Sequence, residues 1–344
     1  MEINLFFPTI AAVLGLSFSA LAQPQIIPSP KHGLLLVCNK GEQTLSIIDP
    51  ASGESLAVVK EDGITGHEVI ASADGQLAFV PIYGNSGVGR PGTDGEIIRV
   101  IDLEKHAVVG TVDFGHGVRP HCAMIGPKNH LLYVTTELLN AITVIDPKTF
   151  KMVDSIPTGQ SESHMLAISP GGRYGYTANV GPGTVSIIDL EKKKVEKIIP
   201  IAKVTQRIAI SPDDKWVFTA DQTKPQLAVI DTGKKEISQW IELPGIAYGT
   251  APTPDGNWLV VAMPAIQKVA FVDLKTMKVA HTVDVPKSPQ EVLVRPDGKI
   301  AYVSCDASRQ VAAIDTQNFT VKKLINTGKG ADGLAWAPLE PITK

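Results

Sequence analysis

Apolar and polar positions alternate along this chain in a pattern that repeats with a nearly constant period. A triplet of two apolar residues followed by Asp occurs seven times, and its aspartates are 53, 44, 43, 42, 42 and 42 residues apart. The seven triplets are Ile47-Ile48-Asp49, Val100-Ile101-Asp102, Val144-Ile145-Asp146, Ile187-Ile188-Asp189, Val229-Ile230-Asp231, Phe271-Val272-Asp273 and Ala313-Ile314-Asp315. A period in the forties indicates seven copies of one structural unit.

A turn motif of the Ser-Pro-Asp-Gly kind precedes most of these triplets. It occurs at residues 72–75, 169–172, 211–214, 253–256 and 295–298. Proline at the second position and Gly at the end favour a tight turn. Between the markers lie short runs rich in Val, Ile, Tyr and Phe without a helical period, such as 131–135, 142–145 and 153–156. We therefore predict four short β-strands in each repeat.

Four strands per unit and this period are typical of a propeller blade. Residues 28–39 supply the second strand of a repeat without its first, and residues 332–338 supply a first strand without its second. The fold class is therefore predicted to be all-β, a seven-bladed β-propeller of four-stranded blades. Its ring is closed by the C-terminal strand joining the N-terminal blade, which protects edges that would otherwise be open. Residues 23–344 then form a single domain.

The repeat also resembles a known family. Gly-x-x-Pro, an apolar strand, Ser-Pro-Asp-Gly, Tyr-Val and Val-x-x-Ile-Asp follow one another, as in Leu132-Tyr133-Val134 and Ala301-Tyr302-Val303. This order is similar to that of the YVTN β-propeller family, which includes the YncE-like proteins. The resemblance implies a propeller over the whole mature chain. For function it implies a range from binding proteins to lactonases and copper oxidoreductases, because such repeats specify blades and not a site.

The first 22 residues are predicted to be a signal peptide. Residues 5–16 are mostly apolar, and Ala20-Leu21-Ala22 is typical of a cleavage site. The alternative is a membrane anchor, but the apolar stretch is shorter than the roughly 20 residues of a spanning helix. No later run is long enough to span a bilayer, so we expect a periplasmic or secreted protein without a membrane span after cleavage.

Composition and charge narrow the possible partners. Charged residues make up 19% of the chain and the net charge is −3, so we expect no nucleic-acid partner. Three cysteines, Cys38, Cys122 and Cys305, are too few for a disulfide scaffold. We expect a monomer with a small-molecule ligand at the mouth of the central channel.

Aligning the repeats on their turns brings the first residue of each innermost strand into register at that mouth. In ring order these residues are Asp332, His67, His121, His164, Gln206, Tyr248 and Gln290. The chain has eight histidines, so chance would place only about a sixth of one among seven positions. Three histidines on successive blades indicate either a hydrated channel or a functional site.

Imidazoles from separate rigid strands can converge on one divalent transition metal, for which zinc, copper and iron are all candidates. We therefore predict a metal site at His67, His121 and His164, with Asp332 as a fourth ligand or as a residue that orients His67. Cys122 and Met165 follow two of the histidines, and strand alternation is expected to turn them into the core.

Other polar side chains are expected on the same face. Arg207, Glu291 and Glu68 are candidate catalytic residues, although Arg207 and Glu291 could equally form a salt bridge across the channel. Candidate substrate-binding residues are Arg119, Tyr248, Gln206, Gln290 and Arg90. Arg90 belongs to the glycine-rich insertion 83–96, which accounts for the 53-residue spacing and is predicted to be a loop beside His67.

Three functions are compatible with this set of residues. The first is a mononuclear metal-dependent hydrolase of the lactonase or esterase kind, in which the ion activates water. The second is a noncatalytic propeller that binds a small molecule or a protein. The third is a copper-dependent oxidoreductase. The chain contains no Gly-x-Ser-x-Gly and no Cys-x-x-Cys, which argues against a serine hydrolase and a thiol redox protein.

Overall fold

The fold is a ring of seven β-sheets. The structure, a computed structural model, describes residues 33–339 together with Met1. These residues form 28 β-strands in seven four-stranded antiparallel sheets, with three one-turn 3₁₀ helices. The predicted seven-bladed propeller is therefore confirmed. Residues 2–22 of the predicted signal peptide lie outside the described part of the chain. No helix within that part is long and apolar enough to cross a membrane.

The first four blades follow the chain order, apart from one C-terminal strand. Blade one contains β1 (Gly33–Asn39), β2 (Thr44–Ile48), β3 (Ser55–Lys60) and the C-terminal β28 (Ala331–Pro338). Blade two contains β4 (Ile70–Ala71), β5 (Leu77–Gly84), β6 (Asp94–Asp102) and β7 (Ala107–Asp113). Blade three contains β8 (Pro120–Ile125), β9 (Leu132–Thr136), β10 (Ala141–Asp146) and β11 (Lys151–Pro157). Blade four contains β12 (Ser163–Ile168), β13 (Tyr174–Asn179), β14 (Thr184–Asp189) and β15 (Lys194–Pro200).

The remaining three blades repeat the same order. Blade five contains β16 (Ile208–Ile210), β17 (Trp216–Asp221), β18 (Gln226–Asp231) and β19 (Glu236–Glu242). Blade six contains β20 (Thr250–Pro252), β21 (Trp258–Met263), β22 (Lys268–Asp273) and β23 (Lys278–Asp284). Blade seven contains β24 (Pro289–Val294), β25 (Ile300–Cys305), β26 (Gln310–Asp315) and β27 (Thr320–Asn326). The 3₁₀ helices are Glu137–Leu139, Pro264–Ile266 and Asp306–Ser308.

The first strand of every blade faces the central channel. In the order β28, β4, β8, β12, β16, β20 and β24, each of these strands contacts the next one, and β24 contacts β28. The ring is closed within blade one, where β28 pairs antiparallel with β1 and Ala335 lies opposite Leu36. Both residues are buried. The two ends of the described chain therefore meet in one sheet, as the repeat pattern predicts.

The repeated aspartate ends the third strand and stabilises the turn to the fourth. Asp49 Oδ1 accepts a hydrogen bond from the Ala51 backbone N–H at 2.9 Å, and Asp146 Oδ1 accepts one from Lys148 at 2.9 Å. These backbone hydrogen bonds hold the pKa of both carboxyls below the usual value. The repeated aspartate in the sequence thus reflects a repeated turn, in which its carboxylate accepts backbone hydrogen bonds.

The core lies between neighbouring blades. Cys122 and Met165 pack in one apolar cluster with residues such as Ile187, which confirms the prediction that both belong to the core. The Met165 sulfur also lies 3.6 Å from Arg207 Nη1, so its tip contacts a polar group. Cys38, Cys122 and Cys305 are all buried free thiols. Burial raises the pKa of the Cys122 and Cys305 thiols to about 12, so both stay protonated.

The 83–96 insertion differs from the predicted loop. Tyr83 and Gly84 still belong to β5, and residues 94–96 already belong to β6, so these two strands are the longest of the middle strands. Gly84 pairs with Asp94 across this hairpin. The extension forms because backbone pairing continues past the point where other blades turn, which leaves only residues 85–93 as a loop.

Candidate functional site

The predicted mouth residues do lie where the innermost strands begin. His121, His164 and Asp332 are within the first two residues of β8, β12 and β28. His67 stands three residues before β4. Rigid, mutually packed strands therefore deliver these side chains from four successive blades to one end of the channel.

The imidazoles of the three histidines form one cluster. The ring centroids of His67 and His121 are 5.6 Å apart. Those of His121 and His164 are 3.6 Å apart with an angle of 29° between the planes, so these two rings stack. The side chain of His67 is 25% exposed, whereas His121 and His164 are only 2% and 3% exposed. His67 is therefore the histidine that a molecule in the channel mouth can reach.

The cluster is held in the neutral form. Burial keeps the pKa of His121 and His164 well below the usual value, and His67 and Arg207 lower both further. Burial also lowers the pKa of His67, against the opposing effect of the Asp332 carboxylate. Within residues 33–339, Nδ1 of His121 and Nδ1 of His164 have no hydrogen-bond partner. These are the neutral imidazoles that metal ions bind.

Tyr83 packs against all three histidines, and sequence reasoning treated it only as the first residue of an insertion. Its ring lies edge-on to His67, His121 and His164, with centroid distances of 5.3, 5.2 and 5.8 Å. Its hydroxyl donates a hydrogen bond to Glu137. Burial and the Glu137 carboxylate raise the pKa of Tyr83, so the hydroxyl stays protonated.

Arg119 and Glu137 attach the 85–93 loop to blade three. Arg119 Nη1 lies 3.1 Å from Glu137 Oε1, and its Nε lies 2.6 Å from Asp94 Oδ1. Its Nη2 donates to the Arg90 carbonyl at 2.6 Å. Glu137 Oε1 also accepts a hydrogen bond from the Gly89 backbone at 3.2 Å. Arg119, predicted to bind substrate, is therefore engaged in holding the loop.

A second ionic network crosses the channel at Arg207. Its Nη1 lies 2.7 Å from Glu68 Oε1 and also pairs with Glu291, so the alternative of a salt bridge across the channel is the arrangement observed. Burial raises the pKa of both carboxyls, that of Glu68 to about 8, against the opposing effect of Arg207. The Arg207 guanidinium also stacks 4.6 Å from the Tyr248 ring centroid. The structure thus brings the three predicted catalytic residues together, but they form ion pairs with one another.

Asp332 lies between the histidine cluster and this network. Its Oδ2 is 3.6 Å from His67 Nδ1 and 3.0 Å from Lys40 Nζ, and its Oδ1 is 3.7 Å from Arg207 Nη2. At 3.6 Å the contact with His67 is electrostatic and not a hydrogen bond, so the role of Asp332 as a fourth ligand or as an orienting residue stays a prediction. Lys40 was missed, although it directly follows β1, whose end lies on this face.

The other predicted substrate-binding residues are dispersed. Gln206 and Gln290 are half-buried on the far side of the mouth, and Gln290 donates to Ser288 Oγ at 2.9 Å. Arg90 is exposed on the 85–93 loop and forms no ion pair with any described residue.

The predicted three-histidine metal site stays a prediction. Among the described residues, no group of three or more His, Cys, Asp or Glu side chains is placed to hold a metal ion together. The rings of His121 and His164 stack face to face, so the two can bind the same metal ion only if at least one of them rotates.

Fold and site together define a seven-bladed propeller with a buried histidine cluster and two ionic networks at one channel mouth. The chain belongs to the cytochrome D1 heme domain family, whose model matches residues 125–335, more than half of the chain. The likeness to the YVTN family rests on the repeat motifs alone. No curated protein matches the chain.

Two solved structures are similar in fold. One is a functionally unknown protein from Desulfotomaculum acetoxidans DSM 771, with a TM-score of 0.71, 13% identity, and coverage of 89% of this chain and 99% of that one. The other is the dihydro-heme d1 dehydrogenase NirN in complex with DHE, with a TM-score of 0.65, 15% identity, and coverage of 92% of this chain and 78% of that one. At these identities both support the fold alone.

Proposed function

We propose that this protein binds an iron tetrapyrrole of the heme d1 type at the channel mouth, where His67 would hold the iron. The observation that carries the proposal is the cluster of three neutral imidazoles, two of them with an unpartnered buried nitrogen, in a chain of the cytochrome D1 heme domain family. The fold is also similar to that of the dihydro-heme d1 dehydrogenase NirN in complex with DHE, and the name of that protein agrees with this ligand class.

The donor set fits such a ligand. A neutral imidazole is a common axial ligand of heme iron. His67 is partly exposed and has Asp332 on its Nδ1 side, which leaves Nε2 for the iron. The buried His121 and His164 present nitrogens that lack a partner among the described residues, so a polar ligand group could satisfy them.

Peripheral carboxylates of a tetrapyrrole need cations on the same face. Arg119 and Arg207 already pair with carboxylates of the protein, so neither offers a free charge. Lys40 is excluded for the same reason, because it pairs with Asp306 and Asp332. Arg90 is an exposed guanidinium, and the 85–93 loop carries it beside the cluster. We therefore assign Arg90 to recognition of anionic substituents.

The group, when bound, supplies an iron centre able to bind small ligands and to accept or donate electrons. The chain's own residues hold and shield it. Tyr83 and the loop anchored by Arg119 and Glu137 cover one side of the histidines and limit the access of water. Asp332 orients His67. The Arg207 network places its charges beneath the mouth and balances them within the protein.

A mononuclear metal site remains the second candidate, favoured by the short distances between three imidazoles from separate strands. It would serve the hydrolase or the copper oxidoreductase of the sequence analysis. The hypothesis of a noncatalytic binding propeller agrees with the tetrapyrrole proposal in that both place a small-molecule ligand at the channel mouth. Export of the mature chain, inferred from residues 1–22, would place any of these functions in the periplasm or outside the cell.

Reconstitution of the untagged protein tests the proposal. Titration with hemin and with heme d1, followed by absorption spectroscopy, should give about one ligand per chain for at least one probe. H67A should weaken that binding at least about tenfold, because it removes the imidazole that would bind the iron. H281A, which changes an exposed histidine on β23, serves as the control. Failure of both probes to bind, or equal binding by H67A and H281A, would overturn the proposal.

Metal analysis of the protein as purified separates the two candidates. Iron with the visible absorption of a tetrapyrrole supports heme binding. Zinc or copper at about one ion per chain, lost in H121A and without such absorption, supports the mononuclear site instead.

A further inference from the structure

We propose that Tyr83 is a positioning residue that couples attachment of the 85–93 loop to the orientation of the three imidazoles. The inference concerns the site of the proposed function and relies on that function for its ligand. The coupling itself involves only residues of this chain, so it is measurable without a ligand.

The first step is the contact between rings. Tyr83 is 1% exposed, and its ring meets His67, His121 and His164 edge-on at angles of 62°, 86° and 87°. Edge-to-face contacts have a preferred geometry, so one ring that touches three others constrains them together. The angle of each imidazole therefore depends on the position of the phenol.

The second step is the contact of the hydroxyl. Tyr83 donates to Glu137, which lies in blade three and begins the 3₁₀ helix that directly follows β9. The same carboxylate accepts the Gly89 N–H of the loop and pairs with Arg119. Glu137 is 3% exposed and Arg119 is 4% exposed, so this carboxylate and guanidinium interact away from bulk water.

The third step is the attachment of the loop. Arg119 contacts Asp94 and the Arg90 carbonyl, while Glu137 contacts Gly89. One ion pair therefore holds the middle and the end of the segment that starts directly after Tyr83 and Gly84. If the loop detaches from blade three, Glu137 loses the Gly89 N–H and Arg119 loses Asp94 and the Arg90 carbonyl. The hydrogen bond between Tyr83 and Glu137 then loses the contacts that hold Glu137 in place.

This arrangement makes the loop a determinant of ligand access. A ligand whose anionic groups contact Arg90 acts on the loop, and Tyr83 transmits any movement of the loop to the histidines. The attachment of the loop and the orientation of the imidazoles then change together, as one conformational equilibrium. The class of ligand follows from the proposed function, whereas the coupling follows from Tyr83, Glu137 and Arg119.

Histidine-selective ¹⁵N NMR of the ligand-free protein tests the coupling. Y83F keeps the ring and removes the hydroxyl, and E137Q changes a residue that reaches the cluster through Tyr83. Both variants should shift or broaden the ring signals of His67, His121 and His164. The signals of His106, His130 and His281 should stay in place. Y176F, which alters an equally buried tyrosine in β13, should leave the three signals unchanged.

Unchanged cluster signals in folded Y83F and E137Q would overturn the inference, as would changes in Y83F alone. If Y83F does not fold, E137Q decides the question. Hemin affinity provides a second measurement, and we expect Y83F to weaken it about fivefold to tenfold. If the wild-type protein binds neither hemin nor heme d1, the proposed function fails, while the NMR comparison still decides the role of Tyr83.

Discussion

The imidazoles of His121 and His164 stack at 3.6 Å although neighbouring blades supply them. Each histidine stands within the first two residues of its innermost strand. Their contact thus spans the boundary between blades three and four directly at the channel. Substitution shows what this contact contributes to stability.

His164→Phe tests whether the stack contributes through its ring or through its nitrogens. No hydrogen bond to Nδ1 is lost in this variant, because that atom has no partner among the described residues. We expect His164→Ala to lower the free energy of unfolding by about 2 to 3 kcal/mol and His164→Phe by less than about 1.5 kcal/mol. Urea unfolding measures both values. Equal losses would show that the nitrogens matter for stability and contradict this account.

Arg207→Met should destabilise the protein by about 3 to 5 kcal/mol, because it leaves the Glu68 and Glu291 carboxyls buried without their partner. The triple variant R207M/E68Q/E291Q should recover most of this loss, since it also removes the carboxylate charges. Lys105→Met is the control, because Lys105 is 71% exposed in its pair with Asp102 and solvent screening leaves such a pair little effect on stability. A triple variant as unstable as the single one would contradict this interpretation.

Glu61 should make stability depend on pH. Burial raises its pKa from 4.5 to about 7, and one hydrogen bond from the Gly66 N–H opposes this only partly. Because the folded-state pKa lies above the unfolded one, the folded state favours the protonated acid, and stability falls as pH rises from about 4.5 to 7.

The Glu61→Gln variant removes this dependence. Its stability relative to wild type should increase by about 3 kcal/mol between pH 4.5 and pH 8, which corresponds to the shift in pKa. Urea unfolding at the two pH values measures the change, with the exposed Glu54→Gln as control. A difference that stays constant with pH would rule out titration of Glu61 as the cause.

Closure of the ring should be sensitive to single contacts in blade one. Leu36 in β1 is fully buried opposite Ala335 in β28. We expect Leu36→Ala to cost about 2 to 5 kcal/mol in unfolding experiments, because it leaves a cavity in the sheet that joins the chain ends. Leu56→Ala, in the outer strand β3, alters a leucine that is 52% exposed and should change stability by less than about 0.5 kcal/mol.

The fold could be predicted from the sequence because its signals are local and repeated. The aspartate of each triplet forms hydrogen bonds within its own turn, as Asp49 does with Ala51, and this fixes where the third strand ends. Seven copies of one register then locate the mouth residues without knowledge of any long-range contact. The three histidines were found in this way.

The rest of the site depends on contacts between distant parts of the chain. Glu68, Arg207, Glu291 and Asp332 come from blades two, five, seven and one, and their pairing depends on the width of the channel. Tyr83 ends an apolar run that includes Phe79, Val80 and Ile82, so its pattern resembles that of a core residue. Its contact with three imidazoles requires the hairpin extension, which no local motif encodes.

Pairing of β28 with β1 also sets the order in which the site can be completed. Asp332, which lies beside His67 and Lys40, is on the final strand of the propeller, whereas its two partners belong to the first two blades. During synthesis, His67 and Lys40 exist for most of the time without this carboxylate. A chain that has not yet produced residues 331–338 therefore has its histidines but lacks the carboxylate beside His67, and this end of the channel is complete only when the ring has closed.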